Sequence, residues 1–96
     1  MTDFHEIVFT KHAERDFEKL PHDIRERIDK KLFSLAKDPL QPDTEKVDDD
    51  TFRARVGNYR IIFRLENNNV VILVIRIRHR KDVYRKVVRF KTAGKK

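Results

Sequence analysis

The stretch FRARVGNYRIIF, Phe52 to Phe63, restricts the fold more than any other part of the chain, because two alternating runs meet there at Gly57-Asn58. A two-residue turn containing Gly between β-prone runs marks a hairpin, since the positive φ of a tight hairpin turn costs Gly little. Such a turn fixes the register. Val56 lies opposite Tyr59, Arg55 opposite Arg60, Ala54 opposite Ile61 and Arg53 opposite Ile62, and paired residues share a face. Ala54, Val56, Tyr59, Ile61 and Phe63 then form an apolar face, while Arg53, Arg55, Arg60 and Arg64 stand on the other side. One cation faces another across the strands, at a cost of some tenths of a kcal/mol that folding alone does not require. A bound polyanion would relieve that repulsion. Arg64 reads more simply as a solvated strand residue whose stem covers apolar neighbours.

A further run from Val70 to Arg78 follows the turn sequence Asn67-Asn68-Asn69, giving a three-stranded antiparallel meander. A three-residue loop there pairs Glu66 with Val70 and turns Leu73, Ile75 and Ile77 towards the helices. Arg76 and Arg78 then join the arginine face; a two-residue turn would reverse those assignments. After Arg80 comes a polar, basic tail, Lys81 to Lys96, which opens with a short helical turn and includes Tyr84 and Phe90.

Upstream, Phe4 to Phe9 reads as a first strand at or near a sheet edge, with Ile7 and Phe9 on one side and Glu6 and Val8 on the other. Thr10 can cap a helix carrying Ala13, Phe17 and Leu20 on one face. Pro21 suits the first turn of a second helix, in which Ile24, Ile28, Leu32, Leu35 and Ala36 recur at helical spacing until Asp38-Pro39. The two helices form an antiparallel hairpin whose apolar stripe needs a sheet to lie on. Residues 39 to 50 read as a connecting loop, and Asp48, Asp49 and Asp50 as a solvated acidic turn rather than a metal site. The expected class is α+β, with one domain over residues 1–96.

Charge is unevenly distributed. Residues 1–50 hold 9 Lys or Arg against 14 Asp or Glu, a net −5, whereas residues 51–96 hold 14 against 2, a net +12. One-signed charge concentrated on part of a small domain favours polyanions, so nucleic acid is the natural partner class, with a merely soluble basic surface as the plainer alternative. The sequence has no Cys, which excludes disulfides and thiolate metal sites. No apolar run approaches the roughly 20 residues of a membrane span, and MTDFHEIVF lacks the basic and apolar regions of a signal peptide. The expectation is a cytoplasmic protein without membrane contact.

The order of elements, with FRARVGNYRIIF followed by VVILVIRIRHRKDVYR, resembles the RelE/ParE superfamily of bacterial and archaeal toxins. The helical stretch HAERDFEKLPHDIRERIDKKLFSLAKDP is compatible but weakly specific; RVGNYR and HRKDVY in that order are far more so. The resemblance covers nearly the whole chain. It implies helices packed on a curved antiparallel sheet and neutralisation by a cognate antitoxin; RelE-type members cleave messenger RNA in the ribosomal A site. Arg60 and Arg80 match arginines that in such toxins hold the scissile phosphate and assist departure of the leaving oxygen, and Tyr84 matches a tyrosine near the RNA. Arg53 and Arg55 stand where well-studied members carry two lysines. Arginine keeps its proton, with a pKa above about 12, so these positions suit charge stabilisation and not general-base work.

The implied chemistry is attack by a ribose 2′-hydroxyl on its adjacent phosphate, with no metal or other cofactor. Arg60, Arg80 and Tyr84 are the expected catalytic residues, and Arg53, Arg55, Arg76, Arg78 and Lys81 the expected RNA contacts. Tyr84 and His79 are candidates for proton handling. Tyr84 can equally pack on the sheet edge or stack on a base, and alternation turns His79 away from Arg78 and Arg80. His5, His12 and His22 have no metal-ligand spacing and read as surface residues. Two other functions fit the same residues: a ParE-type inhibitor of DNA gyrase without a nuclease centre, and a basic module that only binds RNA. An antitoxin is expected to be acidic where it meets residues 51–96.

Overall fold

A computed structural model describes residues 4–68 and 70–81. The chain runs β1 (Glu6–Phe9), α1 (Lys11–Glu18), α2 (His22–Lys37), β2 (Thr44–Lys46), β3 (Thr51–Val56), β4 (Tyr59–Glu66) and β5 (Val71–His79). The strands form one five-stranded sheet in the order β1-β5-β4-β3-β2, antiparallel except where β1 runs parallel to β5. The class is α+β as expected, with one strand more than the sequence showed.

Local chemistry accounts for the helices. Thr10 caps α1, its hydroxyl accepting from the Ala13 amide at 3.1 Å. Pro21 occupies the cap position of α2, one residue before the helix proper, and Asp38 ends it in an extended conformation. Their apolar stripe meets the sheet in a core of Ala13, Ile28, Leu35, Ala54, Ile61, Phe63, Ile72 and Val74, all inaccessible to solvent, with Phe9, Phe17, Ile24 and Tyr59 packed around it.

The hairpin around Gly57-Asn58 has the register read from the turn: Val56 pairs Tyr59, Arg55 pairs Arg60, Ala54 pairs Ile61 and Arg53 pairs Ile62. Gly57 alone supplies the positive φ, at 57°, which fits a type II′ turn. The next connection differs from expectation. Glu66 pairs Val71 and not Val70, so the loop is one residue longer, with Asn67 and Asn68 at positive φ of 54° and 58°. Ile72 and Val74 therefore face the helices where Leu73 and Ile75 were expected. A bulge opposite Ile62 and Phe63 then absorbs Ile75 and restores the alternation, so Ile77 is buried, Arg76 pairs Ile62 and Arg78 pairs Arg60.

The second correction lies in residues 39 to 50. Thr44–Lys46 is a strand pairing β3, with Thr44 opposite Ala54, Glu45 opposite Arg53 and Lys46 opposite Phe52. Three residues, two of them charged, carry no apolar alternation to betray them. The approach to β2 is tied to α2: Lys31 donates to Gln41 Oε1 at 2.9 Å and to Asp43 at 2.8 Å, and Gln41 donates to Ser34 at 2.6 Å. The three consecutive aspartates form an exposed bend. No helix among the described residues is long and apolar enough to cross a membrane.

Candidate functional site

On the sheet face away from the core, strands β2, β3 and β4 and the chain leaving β5 enclose a cavity of about 480 Å³, lined by Arg53, Arg55, Arg60, Arg80 and Lys81 together with Pro42, Asp43 and Glu45. Five cations meet two carboxylates. Each side chain arrives from a different constraint: Arg53 and Arg55 by alternation on β3, Arg60 from directly across the turn, and Arg80 and Lys81 from the first helical residues after β5. The Arg80 amide donates to the Asn58 carbonyl at 2.7 Å, which ties the end of β5 to the turn that pairs Arg55 with Arg60.

Arg60 is held in place by its own hairpin, Nη1 donating to the carbonyls of Gly57 at 3.2 Å and Tyr59 at 3.0 Å. Burial, reinforced by the positive fields of Arg55, Arg53 and Arg80, draws its pKa below the ordinary arginine value. It remains a cation at neutral pH. Among the described residues no carboxylate lies within ion-pair distance of Arg55, Arg60 or Arg80. Clustered like charges without a partner are the electrostatic condition for binding an anion.

Both carboxylates are already engaged. Glu45 Oε1 accepts from Arg53 Nη2 at 2.7 Å and Nε at 3.1 Å, and this hydrogen bonding holds its carboxyl below the usual range. Asp43 is likewise lowered, chiefly by its hydrogen bond from Lys31. Sequence reasoning missed both because it missed β2; the one available signal was a lone Glu within reach of an arginine-rich hairpin.

Arg76 leaves the cavity cluster: its Nε and Nη2 donate to Asp16 of α1 at 2.8 and 3.3 Å, and Asp16 also accepts from the Ile77 amide at 3.0 Å. Arg78 stands opposite Arg60 in the register, and with Arg76, Lys19 and Tyr59 it borders a second, shallower concavity. His79 packs edge-on against Tyr59 with ring centroids 5.2 Å apart, on the side away from Arg60, and its Nδ1 accepts from the Lys81 amide at 3.2 Å. Arg64 lies on the surface near Asp50 and Glu66, at 3.6 and 3.9 Å. Tyr84 falls outside the described residues. No group of three or more His, Cys, Asp or Glu among the described residues is arranged to hold a metal.

A sequence model of the family described as ParE toxin of type II toxin-antitoxin system, parDE, matches residues 7–84. The chain belongs to the RelE/ParE toxin superfamily. Toxin RelG of Mycobacterium tuberculosis is 32% identical over 83 residues, covering 83% of this chain and 95% of that protein. The crystal structure of the toxin-antitoxin complex RelBE2 from the same organism contains a chain that superimposes with a TM-score of 0.70 at 29% identity, covering 79% of this toxin and 98% of that chain. The isolated RelE toxin of E. coli shares the fold, with a TM-score of 0.71 at 23% identity over 88% of this toxin and 96% of that chain. The molecule is thus a toxin of a type II toxin–antitoxin system.

Proposed function

We propose that this toxin is a metal-independent endoribonuclease that cleaves messenger RNA on the ribosome. The observation that supports this reading most directly is the convergence of Arg53, Arg55, Arg60, Arg80 and Lys81 on one cavity. In the reaction, a ribose 2′-oxygen attacks its adjacent phosphorus, the bond from phosphorus to the 5′-oxygen breaks, and a cyclic phosphate and a 5′-hydroxyl result. The 2′-hydroxyl proton is lost as the nucleophile forms, and the departing oxygen gains one. Arg60 and Arg80 hold the phosphate and stabilise the charge that grows on its oxygens, with Arg55 adding to the field. Preorganised cations of this kind contribute through transition-state electrostatics, and losing one donor typically costs about 10²- to 10³-fold in rate. Tyr84 remains a candidate for proton handling or base stacking; His79, turned towards Tyr59, is a bystander.

Mapping messenger RNA 5′ ends after a brief expression pulse tests this. New ends with wild type and none with Arg60→Ala, at equal levels of folded protein, are the expected result. A second reading is favoured by the description of the matching family: a ParE-type inhibitor of DNA gyrase. Intact messenger RNA alongside blocked supercoiling would select it. If Arg60→Ala only weakens binding to RNA that the wild type never cuts, the toxin is a binding module.

The partner is a cognate antitoxin, by analogy with the RelBE2 complex of M. tuberculosis and the RelB-RelE complex of Methanococcus jannaschii. The positive field of residues 51–96 calls for acidic groups at that interface, and the complex should weaken as salt is added. The site of action is the cytoplasm, where ribosomes are.

A further inference from the structure

The arginine cavity already contains an anion of its own. Glu45 lies directly across from Arg53 in the β2–β3 register, and its Oε1 accepts from both Nε and Nη2 of that guanidinium. Those two nitrogens form the edge with which arginine grips a phosphate. The cavity is therefore divided. Arg55, Arg60 and Arg80 have no carboxylate partner among the described residues, whereas Arg53 does, although all four line the same space. The position of Glu45 is also enforced from behind. Lys31, Gln41 and Ser34 hold the approach to β2, and Asp43 at its start is gripped by Lys31.

A resident carboxylate on a grip of this type competes with an incoming one. A strand whose scissile phosphate is seated on Arg55, Arg60 and Arg80 presents a neighbouring phosphate to Arg53 only if Glu45 lets go. Glu45 is exposed, with its side chain 66% accessible, so it can swing into water without disturbing the core. Its lowered carboxyl shows that it responds to Arg53 first and to Arg60 and Arg55 as well. We propose that Glu45 is an affinity-setting residue: a built-in competitor that Arg53 exchanges for a second backbone phosphate of the RNA strand. This rests on the nuclease reading of the cavity and extends it. The exchange lowers the affinity for any strand that brings no further contacts, and it gives Arg53 a partner to return to when the cut strand leaves.

The test uses the whole toxin and an RNA pentanucleotide 2′-O-methylated throughout, so that binding is measured without cleavage. Glu45→Gln should bind it about 1.5- to fivefold tighter than wild type, the range expected when an exposed ion pair is lost. The slope of log K against log salt should steepen by no more than about 0.7, because one more cation of the cavity is unneutralised when the strand arrives. In an Arg53→Gln background the same Glu45 substitution should give no gain, because there is no guanidinium left to release. Glu45→Asp, which keeps the charge but shortens the reach, should fall between wild type and Glu45→Gln and serves if the amide variant folds poorly. Unchanged or weaker binding by Glu45→Gln, or a gain that persists without Arg53, overturns the proposal. Pentanucleotide binding that is indifferent to Arg60→Ala instead overturns the assignment of the cavity, which separates the two failures.

Discussion

The two sides of the sheet treat the same residue type in opposite ways. On the side of β1 and α1, Arg76 is drawn to Asp16, which also accepts from the Ile77 amide; both side chains are mostly shielded, 25% and 15% accessible. On the side of β2 and β3, Arg55 faces Arg60 with Arg80 beside them and no carboxylate within ion-pair reach among the described residues. The first arrangement completes a sheet edge. β1 covers β5 only as far as Val74, and beyond it Thr10 donates to the Ile75 carbonyl at 2.8 Å while Asp16 takes the next free amide. The second stores repulsion that only a ligand relieves. An arginine on this face is informative about function according to what neutralises it, and not according to where alternation puts it.

Neutralised and unneutralised arginines should behave differently when removed. Arg55→Ala and Arg60→Ala should each slow RNA cleavage by about 10²- to 10³-fold in a purified ribosome assay. Arg55→Ala should not lower the thermal midpoint appreciably, since deleting one of two facing cations removes a repulsion of some tenths of a kcal/mol, whereas Arg60→Ala also loses its two hydrogen bonds to the turn and should lower it slightly. Asp16→Ala is the converse, costing about 2 kcal/mol in urea unfolding because it strands a half-buried guanidinium and an amide together. Cleavage measured well below the melting temperature should stay within a fewfold of wild type. A large loss of activity at full folding would show that the Arg76 side of the sheet also serves the reaction.

Gly57→Ala should destabilise by about 1 kcal/mol, the cost of a side chain at positive φ. The added methyl would also meet the Arg27 guanidinium at 3.2 Å, but that is the mobile end of a long side chain and can move. The smallest effect is on acid stability. Asp43 is held below the ordinary carboxylate range by Lys31, so its contribution is complete above the usual aspartate pKa near 3.9 and is lost as pH falls through the lower folded value. The advantage of wild type over Asp43→Asn in thermal melts should accordingly shrink between about pH 5 and pH 2. An advantage constant across that window would mean that the contact does not depend on charge.

Much of this was legible in the sequence, and the reasons are specific. The Gly57-Asn58 turn is short enough that register, face and the Arg55–Arg60 pairing all follow from counting. The loop at Asn67 gave less, because asparagine tolerates the left-handed conformation at successive positions and nothing in the letters fixes loop length. The slip that followed was undone by the bulge at Ile75, so Arg76 and Arg78 reached the expected face although Ile72 and Val74 replaced Leu73 and Ile75 on the inner side. β2 was illegible since its order comes from side-chain contacts with other elements, Lys31 of α2 with Asp43 and Arg53 of β3 with Glu45. The withdrawal of Arg76 was hidden by distance along the chain: Asp16 lies 60 positions away.

The parallel pairing of β1 with β5 sets an order on events during synthesis. The first strand waits at the margin until the last one has been made, and Arg80 emerges only after that strand, so a ribosome making this toxin carries an incomplete cavity until the end of the meander is out. Closing contacts between segments so far apart is intrinsically slow. The interval between the emergence of the hairpin and the seating of Arg80 is a built-in latency, during which the phosphate grip is not yet assembled.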